Sequence, residues 1–295
     1  RQGYDYLKGR GLSDDTIRKF GLGYSDKYGS LLYRFLKEKG YDDETLRQSG
    51  LFLADEVHGM QDKFWNRVIY PIMDANSRVI GFGGRVMGDG KPKYLNSPET
   101  KIFDKSRNLY GLNVARTTRK NYLILCEGYM DVIAMHQAGF TQAVASLGTA
   151  FTSEQALLLK RYTDKVLLAY DSDGAGVKAA LRGIGILKQA GLSGKVINMR
   201  PYKDPDEFIK AKGADMFRVL IEGAKPFIEY KIDELKKNYD TENTADTEQL
   251  LEFSEAAAAV LAEIENPVEL ELYIKRVAET SGISADGLKT RVDNL

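Results

Sequence analysis

Residues 165–190 read KVLLAYDSDGAGVKAALRGIGILKQA. KVLLA carries one charge in five residues and predicts a short buried strand. VKAALRGIGILKQA (177–190) has the apolar spacing of an amphipathic helix, and Gly174 and Gly176 mark the turn between the two. The same rhythm extends outward in both directions. NYLILCE (121–127), AVASLG (143–148) and KVINMRP (195–201) read as further strands, separated by the helical patterns YMDVIAMHQAG (129–139) and TSEQALLLKRY (152–162). Apolar strands alternating with amphipathic helices predict an α/β fold, a parallel sheet flanked by helices.

In open sheets of this kind the ligand site lies beyond the carboxyl ends of the strands. Glu127 ends the first strand of the block, and Asp171 and Asp173 follow the third. KDPDEF (203–208) adds Asp204 and Asp206 after the fourth, and Asp131 stands one helical turn past Glu127. Carboxylates this close repel one another, so a cation is expected among them. An Asp-x-Asp pair with a nearby Glu suits a hard divalent ion such as Mg2+ or Mn2+. Asp173 and Asp206 each also fit the plain role of helix N-cap. A haloacid-dehalogenase-type phosphatase also places Asp-x-Asp after a strand, but it wants Thr or Val where Ala175 stands. No P-loop sequence occurs, and GFGG (81–84) does not match a dinucleotide fingerprint. Cys126 reads as core, and His58 and His136 as incidental. One cysteine and two histidines make a structural zinc site a poor expectation.

Before the sheet block, residues 1–60 read as short helices, with Ser13 and Asp42 or Asp43 as N-caps. RVIYPIMD and RVIGFGGRVM form a hairpin around ANS, with Pro71 assigning the first strand to an edge or an irregular position. Residues 88–111 read as a long basic surface connection containing Tyr94, Phe103 and Tyr110. After 213 no strand is expected, and three helices form a bundle. The predicted domains are 1–115, an α+β N-terminal subdomain; 116–212, the parallel sheet with its acidic site; and 213–295, the helical bundle. The net charge is zero but segregated: residues 61–120 carry twelve Lys+Arg against five Asp+Glu, and residues 221–295 eight against seventeen. A basic stretch beside an acidic one suggests a polyanionic partner. No apolar run is long enough for a membrane span, and a cytoplasmic setting is expected. Arg1 in place of an initiator Met suggests a piece of a longer chain.

EGYMDVIAMHQAGFTQAVASLGTAFT (127–152), AYDSDGAGVKAALRGI (169–184) and KDPDEFI (203–209) together resemble the Toprim domain. NRVIYPIMDANSRVIGFGGRVM (66–87), PKYLNSPET (92–100) and FDKSRNLYGL (103–112) narrow the resemblance to the catalytic, RNA-polymerase core of a bacterial DnaG-type replicative primase. YLKGRGLSDDTIRKFGLGYS (6–25) resembles its opening helices. The resemblance implies a nucleotidyltransferase that makes short RNA primers from ribonucleoside triphosphates on single-stranded DNA. It implies that Glu127, Asp171 and Asp173 hold two Mg2+ or Mn2+ ions, and that Asp131, Asp204 and Asp206 complete the acidic site. Arg67, Arg85, Lys93, Lys105 and Arg107 would meet template or nucleotide. Ser172 stands where relatives often have Gly, a small-for-small exchange. The family's zinc-binding module and its helicase-docking domain are expected outside this chain, and with them contacts to the replicative helicase and the single-strand-binding protein at the replisome. The alternatives are a Toprim-type metal-dependent nuclease and a non-catalytic single-stranded DNA-binding module.

Overall fold

The computed structural model describes residues 1–55, 59–239 and 247–295, so His58 lies outside the described residues. The chain divides into two compact units, residues 1–193 with 197–223, and residues 194–196 with 224–295.

The first unit opens with α1 (Gln2–Gly9), α2 (Asp14–Lys19), β1 (Gly23–Ser25), α3 (Leu31–Glu38) and α4 (Asp43–Gln48). Ser13 Oγ accepts the Thr16 N–H at 3.1 Å and Asp42 accepts that of Thr45 at 2.7 Å, so both predicted caps form. An antiparallel pair follows, β2 (Phe52–Asp55) with β3 (Gly59–Asp62). The predicted hairpin is β4 (Arg67–Met73) and β5 (Val79–Val86), extended by β6 (Tyr94–Asn96) into an antiparallel sheet of order β1-β4-β5-β6. β4 lies inside the sheet, yet Pro71 itself holds the edge-like, irregular position expected of it, just before the register shift between Ile72 and Met73. The proline is tolerated because β1 pairs only with Arg67, Val68 and Ile69, leaving Pro71 beyond its reach.

The stretch 88–111 is not a free surface loop. It contains β6 and a 3-10 turn at Lys105–Arg107, and it buries Phe103, Leu109 and Tyr110. Tyr110 exchanges backbone hydrogen bonds with Ala145 at 2.8 and 3.1 Å. Phe103, expected on the surface, packs instead in the core.

After α5 (Leu112–Ala115) come β7 (Leu123–Cys126), α6 (Tyr129–Gln137), β8 (Ala143–Ala145), α7 (Ser153–Lys160), β9 (Lys165–Ala169), α8 (Gly174–Gln189) and α9 (Pro205–Glu222). β7 pairs in parallel with both β8 and β9, and every residue of Leu123–Cys126 is buried, as a strand covered on both faces requires. The unit runs to Gly223, past the predicted boundary at 212, because α9 continues through a kink at Gly213. Its second half buries Phe217 completely, edge-on to Phe140 and Phe208 at 5.1 and 5.8 Å.

The strand expected over 195–201 is confined to β10 (Ser193–Val196), whose last three residues belong to the second unit. Asn198 Oδ1 accepts the Arg200 N–H at 3.2 Å and turns the chain out of extended geometry. β10 pairs antiparallel with a two-residue β11 (Lys225–Pro226), a strand the sequence reading did not expect. Among the described residues the bundle has four helices: α10 (Phe227–Lys236), α11 (Thr247–Leu261), α12 (Pro267–Ser281) and α13 (Ala285–Asp293). Phe253, Ala257, Leu261, Ile274, Val277 and Leu288 form its core. The fourth helix carried a readable signal: Ser284 caps it through the Gly287 N–H, and Leu288 and Val292 recur four residues apart.

Candidate active site

Two parallel strands bring the central carboxylates together. Glu127 leaves β7 and Asp171 follows β9, and Glu127 Oε1 accepts the Asp171 N–H at 3.0 Å. Asp173 is the N-cap of α8, its Oδ1 accepting from Ala175 and Gly176 at 3.1 and 2.9 Å. Its other oxygen faces Lys203, whose Nζ lies 3.7 Å from Asp173 Oδ2 and 3.3 Å from Asp171 Oδ2. The turn is tight enough that a Cβ on Gly176 would stand 2.1 Å from the Asp171 carbonyl oxygen. The glycine in DSDGAG therefore permits the helix to start directly under the strand end.

Asp131 is buried in the first turn of α6, and its Oδ2 accepts the Gly128 N–H at 3.2 Å. Asp204 caps α9 through the Glu207 N–H at 2.8 Å. Asp206, also buried, takes Arg10 Nη2 at 2.6 Å and Lys210 Nζ at 2.7 Å. These groups line a cleft of about 350 Å³ shared by Glu127, Asp131, Asp171, Asp204 and Asp206 with the cationic Arg10, Lys93 and Lys203.

The electrostatics follow from burial and crowding. Burial, and then the charge of Asp171, push the Glu127 carboxyl above its ordinary range. Burial and the carboxylates of Asp204, Asp171 and Asp206 push Asp131 well above it. Burial raises Asp171 against the opposing hydrogen bond from Lys203. Asp173 goes the other way, held low first by the Gly176 N–H. The Lys203 ammonium is held protonated by its hydrogen bond to Asp171. The cleft is thus short of positive charge, with one lysine between the Asp-x-Asp oxygens.

This donor set of hard oxygens suits a divalent cation, and Glu127, Asp171 and Asp173 are the residues that could hold it. As they stand, no three His, Cys, Asp or Glu side chains among the described residues are gathered at metal-binding distances. Asp206 is committed to two cations, and Asp173 keeps one oxygen clear of the backbone, facing Lys203.

Of the five basic residues singled out in the sequence, Lys93 alone lines the cleft. Arg67 is buried, its Nη1 donating to the Gly84 and Pro92 carbonyls at 3.2 and 2.9 Å. Arg85 donates to the Val86 carbonyl at 3.0 Å and lies over the Tyr6 ring at 4.6 Å. Lys105 and Arg107 sit in the 3-10 turn, where Arg107 pairs with Asp104 at 3.4 Å. The sequence reading missed Arg10, Asn96, Tyr129, Ser146 and Gly148, which also line the cleft. Ser146 and Gly148 follow β8, and the strand-end rule that found Glu127 and Asp171 reaches them too. Arg10 carried no local signal.

The DNA primase catalytic core N-terminal domain matches residues 1–116, a Toprim-like domain 124–209, and the DnaB-helicase binding domain of primase 228–286. A DNA primase domain from Pseudomonas aeruginosa superposes with a TM-score of 0.82 at 37% identity, covering 99% of this chain and 92% of that one. The chain belongs to the DnaG primase catalytic-core family. A second such core, a DnaG primase catalytic domain bound to single-stranded DNA, is 33% identical with a TM-score of 0.79, covering 96% and 90%. The DNA primase of Clostridium acetobutylicum is 45% identical over 280 residues, 94% of this chain and 46% of that protein. This primase core spans about half the length of the curated relatives it matches. Toprim-type primase cores are metal-dependent. The match at 228–286 corrects one expectation: a segment of the helicase-binding type lies within this chain, in the second unit. Its acidic, helical sequence carries no motif that single-sequence reading could have caught. No helix among the described residues is long and apolar enough to cross a membrane.

Proposed function

We propose that this primase core joins ribonucleotides on a single-stranded DNA template into short RNA primers, by nucleotidyl transfer at the carboxylate cleft. The observation that carries the reading is the convergence of five carboxylates and three cations on one cleft in a chain of this family. The primer 3′-hydroxyl attacks the α-phosphate of the incoming ribonucleoside triphosphate, and pyrophosphate leaves. Glu127, Asp171 and Asp173 would hold Mg2+ or Mn2+, which when bound lowers the pKa of the attacking hydroxyl and neutralises the leaving group. Asp131 and Asp204 add negative potential that favours cations in the cleft. Asp206 anchors Arg10, so its part is positional. Arg10 and Lys93 face the cleft as phosphate partners. Lys203 offsets the repulsion between Asp171 and Asp173, and its long stem lets the ammonium turn to a phosphate. Arg85, Lys105 and Arg107 serve the template backbone outside the cleft, and Arg67 braces the strand that carries it. Tyr94, exposed beside Lys93, can stack a base. The helical unit that holds 228–286 docks on the replicative helicase, and the protein works in the cytoplasm at the replisome.

The test is primer synthesis on single-stranded DNA with ribonucleotides and Mg2+ or Mn2+, comparing the parent with Asp171→Asn. Short RNA from the parent and none from the variant is the expected result. Template cleavage by the parent without nucleotides would move the assignment to a nuclease. Binding of single-stranded DNA without synthesis by either form would reduce the chain to a binding module.

A further inference from the structure

We propose that Tyr129 is a positioning residue that clamps Asn96, and with it β6, at the cleft; the inference rests on the primer-synthesis reading of that site. The Tyr129 hydroxyl donates to Asn96 Oδ1 at 2.6 Å, and Asn96 Nδ2 donates to the Leu147 carbonyl at 2.7 Å. One phenol thus ties together three segments of distant sequence: the first turn of α6 beside Glu127 and Asp131, the strand that carries Tyr94 next to Lys93, and the loop after β8. All three line the cleft.

The surroundings are shaped for this pair. The Tyr129 ring is buried between Tyr70 and Tyr110, with centroids 5.6 and 4.7 Å away. A Cβ at Gly83 would stand 2.5 Å from Tyr129 Cε2, and one at Gly148 would stand 2.5 Å from Asn96 Nδ2. The glycines on either side are therefore what lets the tyrosine and the asparagine meet. β6 is a three-residue edge strand whose one strand neighbour is β5, paired through Tyr94, Leu95 and Asn96 with single backbone bonds at Lys93 and Ser97, and the tie adds a side-chain anchor to it.

Tyr129 hydrogen-bonds to none of the carboxylates, so its hydroxyl has no part in the chemical step. What it controls is the placement of β6 and of Lys93 just before it, and the loss should fall on nucleotide binding. In Tyr129→Phe, which keeps the ring, KM for ribonucleotides should rise about five- to tenfold, the size of one hydrogen bond, with kcat within about twofold. Tm should hold. Asn96→Ala should raise KM similarly, and the double variant should be no worse than Asn96→Ala alone, since both break one link. Amide hydrogen exchange at 94–96 and 147–148 should quicken in Tyr129→Phe. An unmoved KM, or effects that multiply in the double variant, would overturn the clamp. If the parent itself makes no primers, the primer-synthesis reading fails by its own test, while the exchange comparison still decides the clamp: unchanged protection at both segments refutes it.

Discussion

Asp131 is ionised at neutral pH only at a cost. It is buried, and three other carboxylates raise its pKa well above the ordinary Asp value. For an acid shifted upward on folding, the cost is complete above the native-state value, shrinks as pH falls through it, and is gone below the ordinary one. Asp131→Asn keeps an acceptor for the Gly128 N–H and removes the charge. Without divalent metal at pH 7, it should raise Tm by about 2–4 °C. The gain should shrink in acid, as calorimetry at pH 7 and pH 4 would register, and primer synthesis should fall steeply. His136 carries the opposite sign. It sits edge-on to Phe20, its Nε2 bonded to the Ala143 carbonyl at 2.8 Å and its Nδ1 buried with no partner among the described residues. Burial lowers its pKa from 6.5 to about 4. The stability that comes from keeping it neutral is complete above pH 6.5 and is lost between there and pH 4, a difference on the order of 3 kcal/mol. Urea titrations across that range should show this loss in the parent and not in His136→Gln. The residue read from sequence as incidental is thus a structural one.

At the scale of elements, α8 offers a paired comparison. A Cβ at Gly176 meets the Asp171 carbonyl, which is backbone and cannot step aside, whereas one at Gly185 meets nothing within 4 Å. Helix propensity alone favours Ala at both by about 1 kcal/mol. Gly185→Ala should therefore stabilise by about 0.5–1 kcal/mol, while Gly176→Ala should destabilise by about 1–3 kcal/mol and impair synthesis, with urea unfolding as the measure. The strand–helix rhythm from β7 to α8 was legible because hydrophobic period is a local property, and the strand-end rule then located Glu127, Asp171 and Asp204. GFGG was legible as glycine but not as purpose. A Cβ on Gly81 would press on Phe103, on Gly83 against Tyr129, and on Gly84 against Phe64 and Arg67. Those partners come from elsewhere in the chain, so no window of sequence displays them. Arg67 and Phe103 were misplaced for the same reason: a basic or aromatic residue in a polar stretch looks exposed until the carbonyls or the glycine it packs on are known.

For the molecule as a whole, the zero net charge conceals a basic stretch and an acidic one, +7 over residues 61–120 and −9 over residues 221–295. If the cleft takes template or nucleotide phosphates, affinity for single-stranded DNA should fall linearly in log–log terms with salt, by about 0.7 per phosphate neutralised. Lys93→Ala should flatten that slope by about one such unit if Lys93 meets a template phosphate, whereas a surface lysine such as Lys289 in α13 should leave it unchanged; fluorescence anisotropy over a salt series would distinguish them. The Arg10–Asp206 pair bears on a different matter, the order in which the protein is made. The two residues are 196 positions apart. At about 5–20 residues per second, a ribosome delivers Arg10 roughly 10–40 s before its carboxylate exists. Until residue 206 is made the nascent chain holds a guanidinium without its carboxylate, so the cleft is closed only after Glu127, Asp131, Asp171 and Asp204 have all been laid down.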